Sequence, residues 1–138
     1  MALAPPRLER FARHIVIPEI GGAGQALLAA KHVVLVGLGG IGSPALQYLA
    51  GAGVGRLTLI DVGAAELSNL QRQTIYTTRD IGHGKAVAAR QWLANFDDAL
   101  EISISDARID ALNAPDHVND ADLVLDGTDT FATRLAVS

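Results

Sequence analysis

Ser68, Asn69, Gln71, Arg72 and Gln73 crowd into the segment ELSNLQRQ, and Lys85 follows shortly after in DIGHGK. Asparagine and arginine together bring five or more N–H donors, and lysine adds a point charge. This set suits an anion with more charge than the two phosphates of a dinucleotide, namely a triphosphate. The plain alternative is that Arg72 and Lys85 are ordinary surface cations. Upstream lies GLGGIG, a G-x-G-x-x-G stretch with its glycines at Gly37, Gly39 and Gly42. In that pattern the first glycine permits a tight turn, the second lets backbone approach a phosphate, and the third lets helix and strand pack closely. A helix opening at such a loop offers free N–H groups and a positive dipole end to an anion. Asp61 closes RLTLID, where a carboxylate can accept hydrogen bonds from ribose hydroxyls. The glycines and the acid alone favour NAD and an oxidoreductase, or a tight turn with no ligand. The polar loop shifts the expectation to ATP.

Chemistry of this kind needs strands to aim the loops. HVVLVG gives a β-branched run, a buried strand over 33–36. Further strands are expected over 56–61, 101–105 and 122–127. Helices are expected from Pro5-Pro6 through RLERFARHIV, over 23–31, 43–51 and 85–96, and from 131 to 137. Residues 62–82 read as irregular. Strands alternating with helices predict an α/β fold, a Rossmann-like doubly wound parallel sheet. Every polar cluster falls at the carboxyl end of a strand, where such folds bind ligands. Residues 1–138 read as a single nucleotide-binding domain.

Composition narrows the classes. The chain is 49% hydrophobic and 19% charged, which is globular composition, and its formal net charge of -4 gives no reason to expect nucleic acid as a partner. No apolar stretch approaches the roughly 18 residues of a membrane span. MALAPPRLERF reaches Arg7 and Glu9 before any long apolar run, so it does not read as a signal peptide. Cysteine is absent, which removes disulfides, thiol catalysis and any cysteine-held zinc site from this chain and fits a cytoplasmic location.

The stretches RFARHIVIPEIGGAGQ, VGLGGIGSPALQYLAGAGVGRLTLID, ELSNLQRQ, DIGHGK and DGTDTFATR resemble the N-terminal part of the ThiF-type family. These are adenylyltransferases of ubiquitin-like sulfur carriers in molybdopterin and thiamine synthesis, similar to ubiquitin-activating enzymes. The resemblance implies ATP with magnesium, and a carrier protein whose C-terminal Gly-Gly carboxylate attacks the α-phosphate to give an acyl-adenylate and pyrophosphate. It implies that Asp61 holds the ribose, that Gly40 lies beside the adenosine, and that Asn69, Arg72 and Lys85 contact phosphates. Asp129, in DGTD, matches the magnesium acid, and Arg13, in RFAR, matches an arginine that reaches the neighbouring subunit's site in a homodimer. Each has a plainer alternative: Asp129 as the cap of the last helix, Arg13 paired with Glu9 or Glu19. His14 and His83 read as incidental, and Trp92 and Phe96, four apart on one helix face, as core.

Departures from the family pattern are visible. The second acid of its D-x-D is Gly63 here, the glutamine after its second arginine is His14, and the asparagine after the magnesium acid is Thr130. Thr130 keeps an oxygen but loses an amide. The family's members are longer, so the resemblance implies a domain truncated at its C-terminal side. Without cysteine, sulfur transfer by this chain alone is excluded. Two activities then stand: adenylylation, or a non-catalytic nucleotide-binding or dimerisation role.

Overall fold

The computed structural model describes residues 2–138. Four parallel strands form one sheet in the order β3-β2-β1-β4. They are β1 (His32–Val36), β2 (Arg56–Ile60), β3 (Glu101–Ser105) and β4 (Leu123–Asp126). β1 lies between β2 and β4, with Val36 level with Ile60 on one side and with Asp126 on the other. All five β1 residues are buried, which is why the apolar residues Val33, Val34, Leu35 and Val36 run on without alternating.

Successive residues of β1 serve opposite faces of the sheet. Val33 and Leu35 join Leu57 and Leu59 in the larger core, which also takes Leu46 and Leu93. Leu46 comes from α4 (Gly42–Ala52) and Leu93 from α5 (Lys85–Phe96). Val34, Val36 and Ile60 join Ile109 and Ala114 in a smaller core on the other face. That face is covered by α6 (Ala114–Val118) and α7 (Phe131–Val137). Helices on both faces of a parallel sheet are the expected doubly wound arrangement. The order reverses between β1 and β4, so the crevice of the fold opens between their carboxyl ends.

The N-terminal segment departs from the single helix that the sequence suggested. It forms α1 (Pro5–Arg10) and α2 (Ala12–Ile15), separated at Phe11 by backbone at φ -105°, ψ 16°. Phe11 turns inward and is 3% exposed. Its ring fills space at Gly53, where a Cβ would stand 2.7 Å from the ring. α3 (Gly21–Ala29) starts two residues earlier than expected. The stretch 62–82 is irregular as expected, with single 3-10 turns at Leu67–Asn69 and Thr78–Asp80. β4 is one residue shorter at each end than the expected strand. Trp92 packs against the larger core and stacks on Phe96, with ring centroids 5.0 Å apart. Phe96 itself is 37% exposed and lies under the Arg10 guanidinium, so only Trp92 is a core residue.

Candidate functional site

The loop after β1 is shaped by backbone crowding. Gly37 has φ +88°, and a Cβ there would stand 2.9 Å from the Gly127 carbonyl carbon, so the loops after β1 and β4 touch. A Cβ at Gly42 would stand 1.8 Å from Gly37 O, leaving no room for any other residue at the start of α4. Asp61, one residue past β2, ties this loop down. Its Oδ2 accepts from Leu38 N–H at 2.7 Å and its Oδ1 from Gly63 N–H at 2.6 Å. The loss of the family's second acid therefore leaves the Asp61 turn intact, since the backbone of Gly63 makes the contact. Tyr76 adds a second tie, donating its hydroxyl to Leu38 O at 2.7 Å. Burial, and then the charges of Asp61 and Asp80, push the Tyr76 phenol well above its ordinary range, so it remains a donor.

Segment 67–76 folds against the other side of the glycine loop. Asn69 Oδ1 accepts from Glu66 N–H at 3.0 Å, closing the turn, and its amide nitrogen has no partner among the described residues. Arg72 donates to Ser68 O at 3.2 Å and lies along Gly40, where a Cβ would meet its Nε at 3.4 Å. Lys85 opens α5, anchored by its N–H to Gly63 O at 2.9 Å. After β4, Asp126 Oδ1 holds the N–H and hydroxyl of Thr128, and Arg134 donates through Nε and Nη2 to Thr128 O at 3.1 and 2.8 Å.

These loops enclose a cleft of about 480 Å³. Of the residues singled out from sequence, Gly37, Gly39, Gly40, Asp61, Asn69, Arg72, Lys85, Asp129 and Thr130 line it. Gly42 lies beneath the loop and Ser68 behind Arg72, outside the lining. Asp129 is exposed to the cleft, and the cap position of α7 belongs to Thr130. Thr130 Oγ1 donates to Thr133 Oγ1 at 2.8 Å, so its hydroxyl proton is engaged. Arg13 is exposed on α2 and does not line the cleft. Among the described residues it is paired with neither Glu9 nor Glu19. His14 has an internal role, its Nδ1 3.0 Å from the buried Gln25 Oε1.

Sequence reasoning passed over Gln73 as more than one polar loop residue, and missed Arg108 and Arg134, all of which line the cleft. Arg108 lies on the loop after β3, so the strand-end rule that singled out Asp61 would have found it. Arg134 sits in FATR, a helix start after β4. The lining thus gathers Arg72, Lys85, Arg108 and Arg134 against only Asp61 and Asp129, in a chain of net charge -4. A positive cleft in an acidic chain attracts anions. Among the described residues no group of three His, Cys, Asp or Glu is placed to hold a metal by itself. A lone Asp129 fits magnesium, which takes one or two carboxylates together with substrate phosphates.

The sequence profile of the ThiF family matches residues 11–138. The Escherichia coli protein named sulfur carrier protein ThiS adenylyltransferase is 41% identical over 129 residues, covering 94% of this chain and 51% of that protein. The chain spans about a third to a half of the length of the curated relatives it matches, from 29% to 51%. Among solved structures, E. coli TcdA, a tRNA N6-threonylcarbamoyladenosine dehydratase, superposes with a TM-score of 0.92 at 24% identity, covering 99% of this chain and 57% of that one. E. coli MccB, solved with ATP, superposes at 0.75 with 29% identity, covering 83% of this chain and 36% of that one.

Proposed function

The chain belongs to the ThiF family, and from that premise we propose that its cleft binds ATP and serves adenylylation of the C-terminal glycine carboxylate of a ubiquitin-like sulfur-carrier protein. The observation that carries this reading is the convergence of Asn69, Arg72, Lys85 and Asp129 on the cleft that Asp61 and the glycine loop also line. A relative named as an adenylyltransferase of a sulfur carrier, and MccB solved with ATP, support it.

The roles follow from position. Asp61 retains lone pairs on both oxygens after its two backbone bonds, and these accept ribose hydroxyls. Gly39 and Gly40 present backbone to the phosphates. The Asn69 amide, Arg72 and Lys85 neutralise the charge that grows on the phosphates as pyrophosphate leaves, so the weak carboxylate nucleophile meets a stabilised transition state. Asp129 would hold magnesium, which supplies further charge neutralisation when bound. Arg13 is exposed and does not line its own cleft, so in this reading it acts on the site of a second copy, in a homodimer. An arginine in trans stabilises transition-state charge in other phosphoryl-transfer enzymes.

Calorimetry with magnesium-ATP, AMP and NAD tests the nucleotide reading. ATP is expected to bind more tightly than AMP, and Arg72→Ala and Lys85→Ala to weaken ATP about tenfold or more each while leaving AMP nearly unchanged. Tighter binding of NAD than of ATP would sink it in favour of a dinucleotide enzyme. Pyrophosphate release that depends on a carrier ending in Gly-Gly then separates adenylylation from nucleotide binding without catalysis.

A further inference from the structure

The cleft runs across the carboxyl ends of the strands, so the sheet order β3-β2-β1-β4 is also the order of its parts. Asp129 follows β4, the glycine loop follows β1, Asp61 follows β2 and Arg108 follows β3. Neighbouring strands lie roughly 4.8 Å apart, so the loop after β3 stands about 10 Å from the glycine loop and about 14 Å from the loop of Asp129. The cations assigned to phosphate also reach the cleft from the other face of the sheet. Their segments pack through Ile75, Tyr76 and Ala86 into the larger core, whereas Ile109 belongs to the smaller one.

The loop after β3 has a fixed backbone and a free arginine. Asp61 N–H donates to Ser105 O at 3.2 Å, which sets the loop beside the ribose acid. Ala107 N–H donates to Ser105 Oγ at 3.1 Å, and Asn113 Nδ2 to Arg108 O at 2.9 Å. The Arg108 side chain is exposed, lines the cleft and makes no ion pair among the described residues. Val62, directly after the ribose acid, lines the same cleft and is 53% exposed.

We propose that Arg108 grips the base of the nucleotide, its guanidinium packing flat on the purine ring. This rests on the nucleotide reading above. In a nucleotide the ribose stands between phosphates and base. With the ribose at Asp61 and the phosphates over the glycine loop of β1, the base extends the other way, over the loop after β3. Val62 and Ala107 give it an apolar wall. A guanidinium is planar and weakly hydrated, so it stacks on a π-face at little desolvation cost.

The test compares wild type with Arg108→Ala, using calorimetry with ATP and with ribose 5-triphosphate, which keeps sugar and phosphates and lacks the base. Urea unfolding without nucleotide is followed alongside. Arg108→Ala is expected to be as stable as wild type and to bind ATP about fivefold more weakly, while ribose 5-triphosphate binds the two proteins alike. Unchanged ATP affinity in Arg108→Ala overturns the proposal. So does an equal loss for ribose 5-triphosphate, which would make Arg108 a phosphate ligand. Wild type binding ribose 5-triphosphate as tightly as ATP overturns it without any variant, whether or not Arg108→Ala folds. A wild-type chain that binds no ATP overturns the nucleotide reading itself, and this inference with it.

Discussion

At Asp61 one side chain both shapes a loop and lines the cleft. Its two oxygens accept from Leu38 and Gly63, so the carboxylate fixes the form of the glycine loop. Replacing it therefore has two separable effects. Asp61→Ala removes two charge-assisted hydrogen bonds and is expected to destabilise the fold by about 2–4 kcal/mol in urea unfolding. Asp61→Asn keeps one acceptor oxygen and is expected to lose less stability while still binding ATP much more weakly. Equal stability of Asp61→Ala and wild type would show that the loop holds its shape without the acid.

At the scale of elements, the N-terminal helices are pinned to the end of α5 by charge. Arg7 Nη1 donates to both oxygens of Asp97 at 2.7 Å, and Arg10 Nη2 donates to Phe96 O at 3.2 Å. Burial by itself would raise the Asp97 carboxyl. The hydrogen bonds from Arg7 and Ala99 N–H, with the charges of Arg7 and Arg10, outweigh it and hold the group below the usual carboxylate range. A depressed folded pKa gives stability that is present above the unfolded value of about 3.9 and is lost as pH falls through the folded value. Acid unfolding of wild type is thus expected to show a loss below about pH 4 that Asp97→Asn lacks. Parallel pH profiles for the two proteins would rule this pair out as the origin. Arg7→Ala is expected to cost about 2–3 kcal/mol at neutral pH, since it strips a buried carboxylate of its main donor.

For the molecule as a whole, charge and apolar surface are unevenly distributed. The cleft is positive although the chain is acidic. β3 and β4 form the two edges of the sheet. Beside the β4 edge, Phe131 and Leu135 are 76% and 61% exposed, and Leu123 on β4 itself is 50% exposed. Phe131 and Leu135 are four apart on α7 and share a face. An open parallel edge flanked by exposed apolar side chains favours pairing with another chain. Sedimentation velocity is expected to show concentration-dependent association that Phe131→Glu with Leu135→Glu reduces. A single unassociated species at all concentrations of wild type would contradict this.

No helix among the described residues is long and apolar enough to cross a membrane. The strands and most helices were legible in the sequence because each depends on local apolar period and on breakers such as Gly37 and Gly84. The alternation of strand and helix also foretold a parallel sheet and placed Asp61 and the glycine loop at strand ends. Tertiary structure decided the rest. It split the first helix at Phe11, because burying that ring against Gly53 outweighs continuing the helix. It brought Arg108 and Arg134 into the cleft, because parallel strands deliver every βα loop to the same end of the sheet. It left the side-chain oxygen of Gln73 without a partner among the described residues, since the surroundings of a buried amide are set by segments far apart in the chain. And it placed Arg13 away from the cleft, a position that no spacing along the chain encodes.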